Sequence, residues 1–533
     1  KEEAAGLLLN RQAMASHTFI TGSTGAGKSN AVYHLLDQIT KDGKTTFLVV
    51  EPAKGEYKHV FGSDEARIKA AVYGTNPART PLLRINPFEF PAEIHVLEHV
   101  DRLTEIFNAC WPMYAAMPAV LKDAIECCYQ NAGWDLRRSV NTRGTFPTLF
   151  DLMDVLPDII QKSHYSNEVQ SNYVGALCTR VNSLTNGIYG SVFCAEDALS
   201  DAELFDRNVI VELSRVSSME TKSLLMGILV MKLQEYRMCS SGMNSRLRHV
   251  TVLEEAHNLL RRTAAEQSQE SANLQGKSVE MLANAIAEMR TYGEGFIIAD
   301  QAPGLLDASV IRNTNTKIIL RLPDEEDRKL VGASASLKEE QINELAKLEL
   351  GVAAVYQNEW PEAVLCKIEE YPEVQARYHK PETYETVINT EFVFQKIREG
   401  KPIQLNGKRE FEQFARWLNR YEGVLGVECC QALQKAAEGQ PIDKSSTERI
   451  VKNFFGGIDG EKCVRAYLRA LKDDPCRKVW YRLENQYGLE PETAKWVLHQ
   501  AVITFVKECP NRKFAENLSE SFKNHETKEE KMV

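Results

Sequence analysis

The chain alternates between short, wholly apolar runs and longer stretches whose apolar positions fall at helical spacing. Short runs rich in β-branched and aliphatic residues occur at Thr18–Thr21, Thr45–Glu51, Asn208–Leu213, His249–Glu255, Gly295–Gln301 and Thr316–Leu322. Runs of this kind, apolar on both faces, predict strands of a parallel sheet covered on both sides. Two shorter runs within Gly351–Glu370 predict strands at the sheet edge. Helical spacing marks Asn30–Ile39, Thr221–Tyr236 and Ser278–Tyr292, so strands and helices alternate as in a doubly wound fold. Proline-punctuated loops from Pro81 lead into helical patterns at His99–Ala109, Ala119–Ala132, Leu149–Ile160 and Ser171–Leu184. After Tyr371 strand signals almost vanish, and Glu410–Leu418, Cys429–Glu438, Ser446–Phe455, Glu461–Leu471 and Glu492–Lys507 predict helices. The pattern therefore predicts an α/β core with a mostly parallel sheet in two parts, residues 1–80 and 205–370. A helical insertion at 81–204 separates them, a helical C-terminal domain occupies 371–518, and a charged, polar tail at 519–533 is expected to be disordered.

The first strand and helix flank Gly22-Ser23-Thr24-Gly25-Ala26-Gly27-Lys28-Ser29, which fits G-x-x-x-x-G-K-[ST]. This order lets backbone N–H groups turn inward around phosphates, with the N-terminal end of the following helix, from Asn30 on, pointing at them. Lys28 is expected to reach the β and γ phosphates of a nucleoside triphosphate, and the Ser29 hydroxyl to take one Mg²⁺ position. The predicted strand His249–Glu255 closes on two carboxylates, the position of a Walker B pair. Such a site needs one carboxylate for Mg²⁺ and one to orient the attacking water; Glu254 is assigned to the metal and Glu255 to the water. An amide at Gln301, after the strand that carries Phe296–Ala299, can donate to the γ-phosphate and accept from that water.

These residues carry a resemblance. The P-loop with its leading His17, the loop Glu51–Tyr57, Glu254-Glu-Ala-His257, Arg290-Thr-Tyr-Gly-Glu-Gly295, Asp300-Gln301 and Asn313-Thr-Asn-Thr-Lys-Ile318 resemble a HerA-type ATPase of the FtsK–HerA superfamily, over roughly Gly6 to Glu370. The style is similar to the bacterial branch found beside effector genes in anti-phage defence. The resemblance implies a RecA-like P-loop core, ATP and Mg²⁺ as cofactors, and a homohexameric ring around a central channel with each ATP site at a subunit interface. It implies double-stranded DNA as the molecule moved or remodelled, and a separate effector, a nuclease or an NAD-consuming enzyme, as partner. It also assigns a trans-acting arginine just before the sensor strand, and Arg290 is the match, with Arg312 and Arg321 as further candidates. The β-barrel expected before the P-loop would be absent or reduced to Lys1–Gln12, and the chain after Tyr371 matches no pattern of the family. Two other readings stay open: a ring that binds ATP to assemble and gate an effector with little DNA motion, and a motor of the secretion or conjugation type.

Composition and charge change this picture little. A formal charge of −10 argues against a protein coated in nucleic acid but leaves room for a local basic channel. Arg261, Arg262 and Lys277 bracket a polar stretch after the Walker B pair and are candidates for DNA-phosphate contact, weighed evenly against an ordinary solvated loop. The sequence holds 12 cysteines and no C-x-x-C, with no signal peptide and no apolar run long enough for a bilayer. Reduced thiols, a cytoplasmic location and no membrane partner are the expectation. His95-Val-Leu-Glu-His99 fits the inverted zinc-peptidase pattern H-x-x-E-H but has no third ligand in view. His257 reads as a packing or interface residue.

Overall fold

The computed structural model describes residues 6–114, 116–141, 145–195, 198–262, 269–372, 377–381, 388–405, 407–455 and 482–508. The reading of Glu461–Leu471 as a helix and of 519–533 as a tail falls outside these residues. Contacts divide the chain into two compact units. One comprises Lys1–Leu83, Glu89–Asp123 and Leu199–Pro381, and the other Arg84–Phe88, Ala124–Ala198 and Glu382–Val533. Most of the segment between the two halves of the sheet domain thus packs with the chain after 382.

The first unit is built on nine strands: β1 (Thr18–Thr21), β2 (Thr46–Glu51), β3 (Ala71–Gly74), β6 (Val209–Glu212), β7 (His249–Glu254), β8 (Glu294–Asp300), β9 (Thr316–Ile319), β10 (Val352–Gln357) and β11 (Val364–Lys367). The intervening β4 (Trp134–Asp135) and β5 (Val140–Asn141) form a separate two-stranded ribbon in the second unit. The sheet order is β11-β10-β9-β1-β8-β7-β2-β6-β3. The seven strands from β9 to β3 run parallel, while β10 and β11 join antiparallel at one edge. This is the α/β fold of a RecA-like P-loop core. Strands β1, β6, β7, β8 and β9 are buried at every position, which explains why they read as continuous apolar runs rather than alternating ones. Phe19, Ile20, Val250, Val252, Ile297 and Ile318 of these strands, and Phe47 and Val49 of β2, are at most 3% exposed. Strand β3 was not evident in the sequence, because four residues with two half-buried positions give too short a pattern.

Because seven strands share one direction, everything that follows them gathers along one edge. The P-loop leaves β1 and enters α1 (Lys28–Thr40), Glu51 ends β2 just before α2 (Tyr57–Phe61), Glu212 ends β6, Glu254 ends β7 and Asp300 ends β8. Brought together from distant sequence, these ends make the C-terminal edge of the sheet the place where ligands of open α/β folds bind.

The helix after β7 differs from expectation. It spans Gln269–Glu288 and closes with a 3₁₀ turn at Met289–Tyr292, so part of the polar stretch between Arg261 and Lys277 is helical. Gln, Glu, Ala and Leu are good helix formers whatever their polarity, and propensity wins over the missing apolar period. In the second unit, helices Thr390–Arg398, Lys408–Leu425, Val427–Ala437, Lys444–Phe454 and Pro491–Glu508 surround Phe394, Trp417, Leu433 and Phe454. Trp417 stacks on Phe454 with centroids 5.8 Å apart.

Candidate nucleotide site

The P-loop runs from the end of β1 to the start of α1 and is held from below by the next strand over, where Ser23 N donates to Arg321 O at 2.9 Å. Gly25 and Gly27 have φ of 76° and 103°, which other residues rarely adopt, so the loop can turn its amides inward only with glycine there. The amides of the first turn of α1 have no intrahelical acceptor. Gly27 is the N-cap, and no side chain caps the helix. The arrangement leaves N–H groups and the positive end of a helix dipole at the P-loop, as an anionic phosphate requires.

Lys28 is 6% exposed and points at the two carboxylates ending β7: its Nζ lies 2.9 Å from Glu255 Oε1 and 3.7 Å from Glu254 Oε2. Gln301 Nε2 donates to the same Glu255 oxygen at 2.6 Å, and Thr24 Oγ1 donates to Gln301 Oε1 at 2.7 Å. Thr24, Gln301, Glu255 and Lys28 therefore form one hydrogen-bonded chain across the C-terminal edge. Glu255 itself has φ 45°, a left-handed conformation that strains a non-glycine residue by about 1–3 kcal/mol. The strain turns the chain directly after β7 and sends Glu255 toward Lys28 while Glu254 stays in the strand.

Burial raises the pKa of Glu254, an effect that Lys28 and the Tyr57 hydroxyl oppose. Tyr57 donates to Glu254 Oε1 at 2.5 Å. Next to it, burial pushes the Glu51 carboxyl up to about 8, although Glu51 accepts the backbone N–H groups of Glu56 and Tyr57. Beyond Glu51, Lys58 pairs with Glu212 at 2.8 Å. On the other side, Asp300 accepts from His257 N at 2.8 Å and Ala302 N at 2.9 Å, and lies 2.9 Å from His257 Nδ1. The Asp300 contact raises the His257 pKa. Glu255, His257 and Asp300 offer ligand atoms within 4.8 Å of one another, a closeness that the His257–Asp300 bonds account for. His257 thus braces the turn after the Walker B pair inside one chain. Ser29 and Glu254 supply hydroxyl and carboxylate oxygens, the hard donors that suit Mg²⁺.

Of the residues singled out in the sequence, the fold gathers Gly22 to Asn30, Glu254, Glu255 and Gln301 at one edge. It does not bring Arg290 there. Arg290 is exposed in the turn that precedes β8, whereas Gln301 follows β8. The seven residues of β8 separate the two by about 20 Å at the usual rise per residue. Arg312 also precedes its strand, while the carbonyl of Arg321 lies against the P-loop. Arg261 and Arg262 are exposed and, with His257, line a cavity of about 410 Å³; Lys277 is exposed on the helix Gln269–Glu288. The H-x-x-E-H pair diverges: His95 Nδ1 accepts from Leu97 N as a helix cap, and His99 pairs with Glu235 at 3.0 Å in full burial. In the sequence Tyr57 is only the end of a loop, and its bond to Glu254 spans 197 residues with no sequence signal of its own.

Residues 4–233 match the family described as the helicase HerA, central domain. The chain is 36% identical over 84 residues to the probable DNA double-strand break repair helicase HerA of Methanocaldococcus jannaschii, covering 16% of this chain and 17% of that one. It is 32% identical over 123 residues to the DNA double-strand break repair helicase HerA of Sulfolobus acidocaldarius, covering 23% of each. The chain thus spans about a fifth of the length of these curated relatives. Among solved structures, VirB4 of Thermoanaerobacter pseudethanolicus aligns with a TM-score of 0.51 at 18% identity, over 67% of this chain and 90% of that one, and shows a shared fold. Among the described residues no helix is long and apolar enough to cross a membrane. By sequence over residues 4–233 the chain is similar to the HerA-type P-loop ATPases, and by fold it is similar to VirB4.

Proposed function

We propose that this chain is a Mg²⁺-dependent ATPase that assembles as a homohexameric ring and translocates or remodels double-stranded DNA for a separate effector. The observation that carries the reading is the convergence of Lys28, Glu254, Glu255 and Gln301 within hydrogen-bonding and ion-pair distance beside the P-loop. In this reading the amides from Gly22 to Asn30 cradle the phosphates, and Lys28 turns from Glu255 to the β and γ phosphates of ATP. Released from Lys28, Glu255 accepts a proton from the attacking water, which the Gln301 amide helps to place. Ser29 and Glu254 would hold Mg²⁺, which would supply charge neutralisation for the phosphates. Arg290 stands too far from its own P-loop to act there, so its duty falls on the site of a neighbouring subunit, where a guanidinium offsets charge developing on the phosphoryl group. Arg261, Arg262 and Lys277 face the DNA phosphates. A nuclease or NAD-consuming effector, a cytoplasmic setting and a role in anti-phage defence complete the proposal and rest on the family resemblance.

The test is the ATPase rate with and without long duplex DNA, for the native chain and for Lys28→Ala and Glu255→Gln. Lys28→Ala is expected to abolish ATP binding. Glu255→Gln is expected to bind ATP and lose about 10²–10⁴-fold in turnover. DNA affinity should fall steeply with salt, and replacing Arg261, Arg262 and Lys277 together should flatten that dependence. Normal hydrolysis by Glu255→Gln, or a salt dependence untouched by the triple replacement, refutes the corresponding assignment. A rate indifferent to DNA favours a ring that gates its effector without moving DNA.

A further inference from the structure

Glu254 is approached from two sides by different chemistry. The Tyr57 hydroxyl donates to Oε1 at 2.5 Å, while Oε2 lies 3.7 Å from Lys28 Nζ. Tyr57 is 1% exposed and opens α2, so water does not compete for its hydroxyl. Two contacts hold it there. Glu51 accepts Glu56 N at 2.7 Å and Tyr57 N at 3.4 Å, tying the start of α2 to the end of β2. Tyr33, on α1, meets the Tyr57 ring edge to face at 5.0 Å. Strands β2 and β7 are neighbours in register, Val50 beside Leu253, so Glu51 and Glu254 end adjacent strands.

We propose that Tyr57 is a positioning residue for Glu254: its hydroxyl occupies one carboxylate oxygen so that the other is presented toward the divalent cation and Lys28. The inference rests on the reading of Glu254 as a cation ligand. Without the hydroxyl, a buried carboxylate would be left with an unsatisfied oxygen and would be free to rotate toward the Lys28 ammonium 3.7 Å away. Partners of metal-ligating groups fix their orientation in this way, and removing one typically costs about 10–100-fold in metal affinity. The carrying path also joins the cation site to α1, since Tyr33 packs on Tyr57 and Tyr371 packs on Tyr33 at 5.8 Å.

The experiment titrates Mn²⁺ as the probe, followed by electron paramagnetic resonance of the free ion, into the full chain with a non-hydrolysable ATP analogue. Tyr57→Phe keeps the ring and its packing. It is expected to weaken Mn²⁺ binding about 10–100-fold while leaving nucleotide affinity in the presence of a chelator unchanged. In a Glu254→Gln background, Tyr57→Phe should have no further effect, because the charged cation ligand that the hydroxyl orients is already gone. Tyr57→His, which keeps an N–H donor but packs less well, should retain more Mn²⁺ affinity than Tyr57→Phe. Undiminished Mn²⁺ binding by Tyr57→Phe overturns the proposal, as does the reverse order of Phe and His. So does an equal loss with and without Glu254→Gln, which marks a general packing role. If Glu254→Gln alone leaves Mn²⁺ binding intact, the cation reading of Glu254 falls and the inference with it. A loss in Glu254→Gln with none in Tyr57→Phe overturns the inference alone.

Discussion

The two ends of the parallel sheet hold similar residues in opposite conditions. At the N-terminal end, Glu294 opens β8 in full burial and accepts from Arg237 Nε at 3.0 Å and Thr251 Oγ1 at 2.8 Å, with His249 Nδ1 at 2.7 Å. Burial alone would raise its pKa, but His249 and Arg237 outweigh that and keep Glu294 below the ordinary value. Arg237 continues to Asp206 at 3.0 Å, so the ions form a closed network. At the C-terminal end, burial prevails for Glu51 and Glu254, whose pKa values rise, Glu255 sits in a strained conformation, and Lys28 faces two carboxylates at once. A closed network can only be broken, whereas a lysine shared between two acids can be drawn away by a stronger anion. The first arrangement fixes the strands; the second, in the proposed reading, would exchange partners when a triphosphate arrives.

Arg290 provides the largest test of this contrast, because it lies at the closed end yet is proposed to act at the open end of another subunit. Arg290→Ala should fold and bind ATP but lose about 10³–10⁵-fold in hydrolysis. Co-assembly with Glu255→Gln before ring formation should restore part of the activity, since some interfaces would then pair an intact Glu255 with an intact Arg290. Full activity of the Arg290→Ala ring would remove this residue from the reaction.

A smaller effect is expected from opening the closed network. Arg237→Met leaves Glu294 buried without its arginine counter-ion and should destabilise the chain by about 3–5 kcal/mol in chemical denaturation. Nucleotide affinity of the folded protein should not change. A loss under about 1 kcal/mol would show that the N-terminal network contributes little.

The mildest effect concerns His17, which enters β1 at the same end. Burial lowers its pKa from 6.5 to about 4, and its Nδ1 accepts from Phe296 N at 3.0 Å. The native ring therefore stays neutral between pH 6.5 and 4 while the unfolded chain takes up a proton. The unfolded state binds more protons in that window, so stability falls on acidification, by at most about 1.4 kcal/mol per pH unit. His17→Gln should have a flatter thermal-midpoint profile over the same range. An unchanged profile would place the acid sensitivity elsewhere, for example at His249, whose pKa burial also lowers.

What the sequence determined by itself was local. Gly22 to Ser29 specifies a phosphate-binding turn because glycine spacing, a lysine and a following helix are adjacent along the chain. Glu254, Glu255 and Gln301 were legible for the same reason: each stands at the end of an apolar run, where a buried parallel strand most readily places polar groups. Strand β3 and the helical start at Gln269 were not legible, one being too short and the other too polar to show a period. Tertiary structure decided which strand ends become neighbours. The order β8-β7-β2-β6 sets Asp300, Glu254, Glu51 and Glu212 along one edge, although they come from four separate stretches. It joined Tyr57 to Glu254 and His257 to Asp300, and it set Arg290 at the far end of β8 from Gln301. Strand order depends on how crossovers pack on the two faces of the sheet, and that packing is a property of the whole unit rather than of any run of residues.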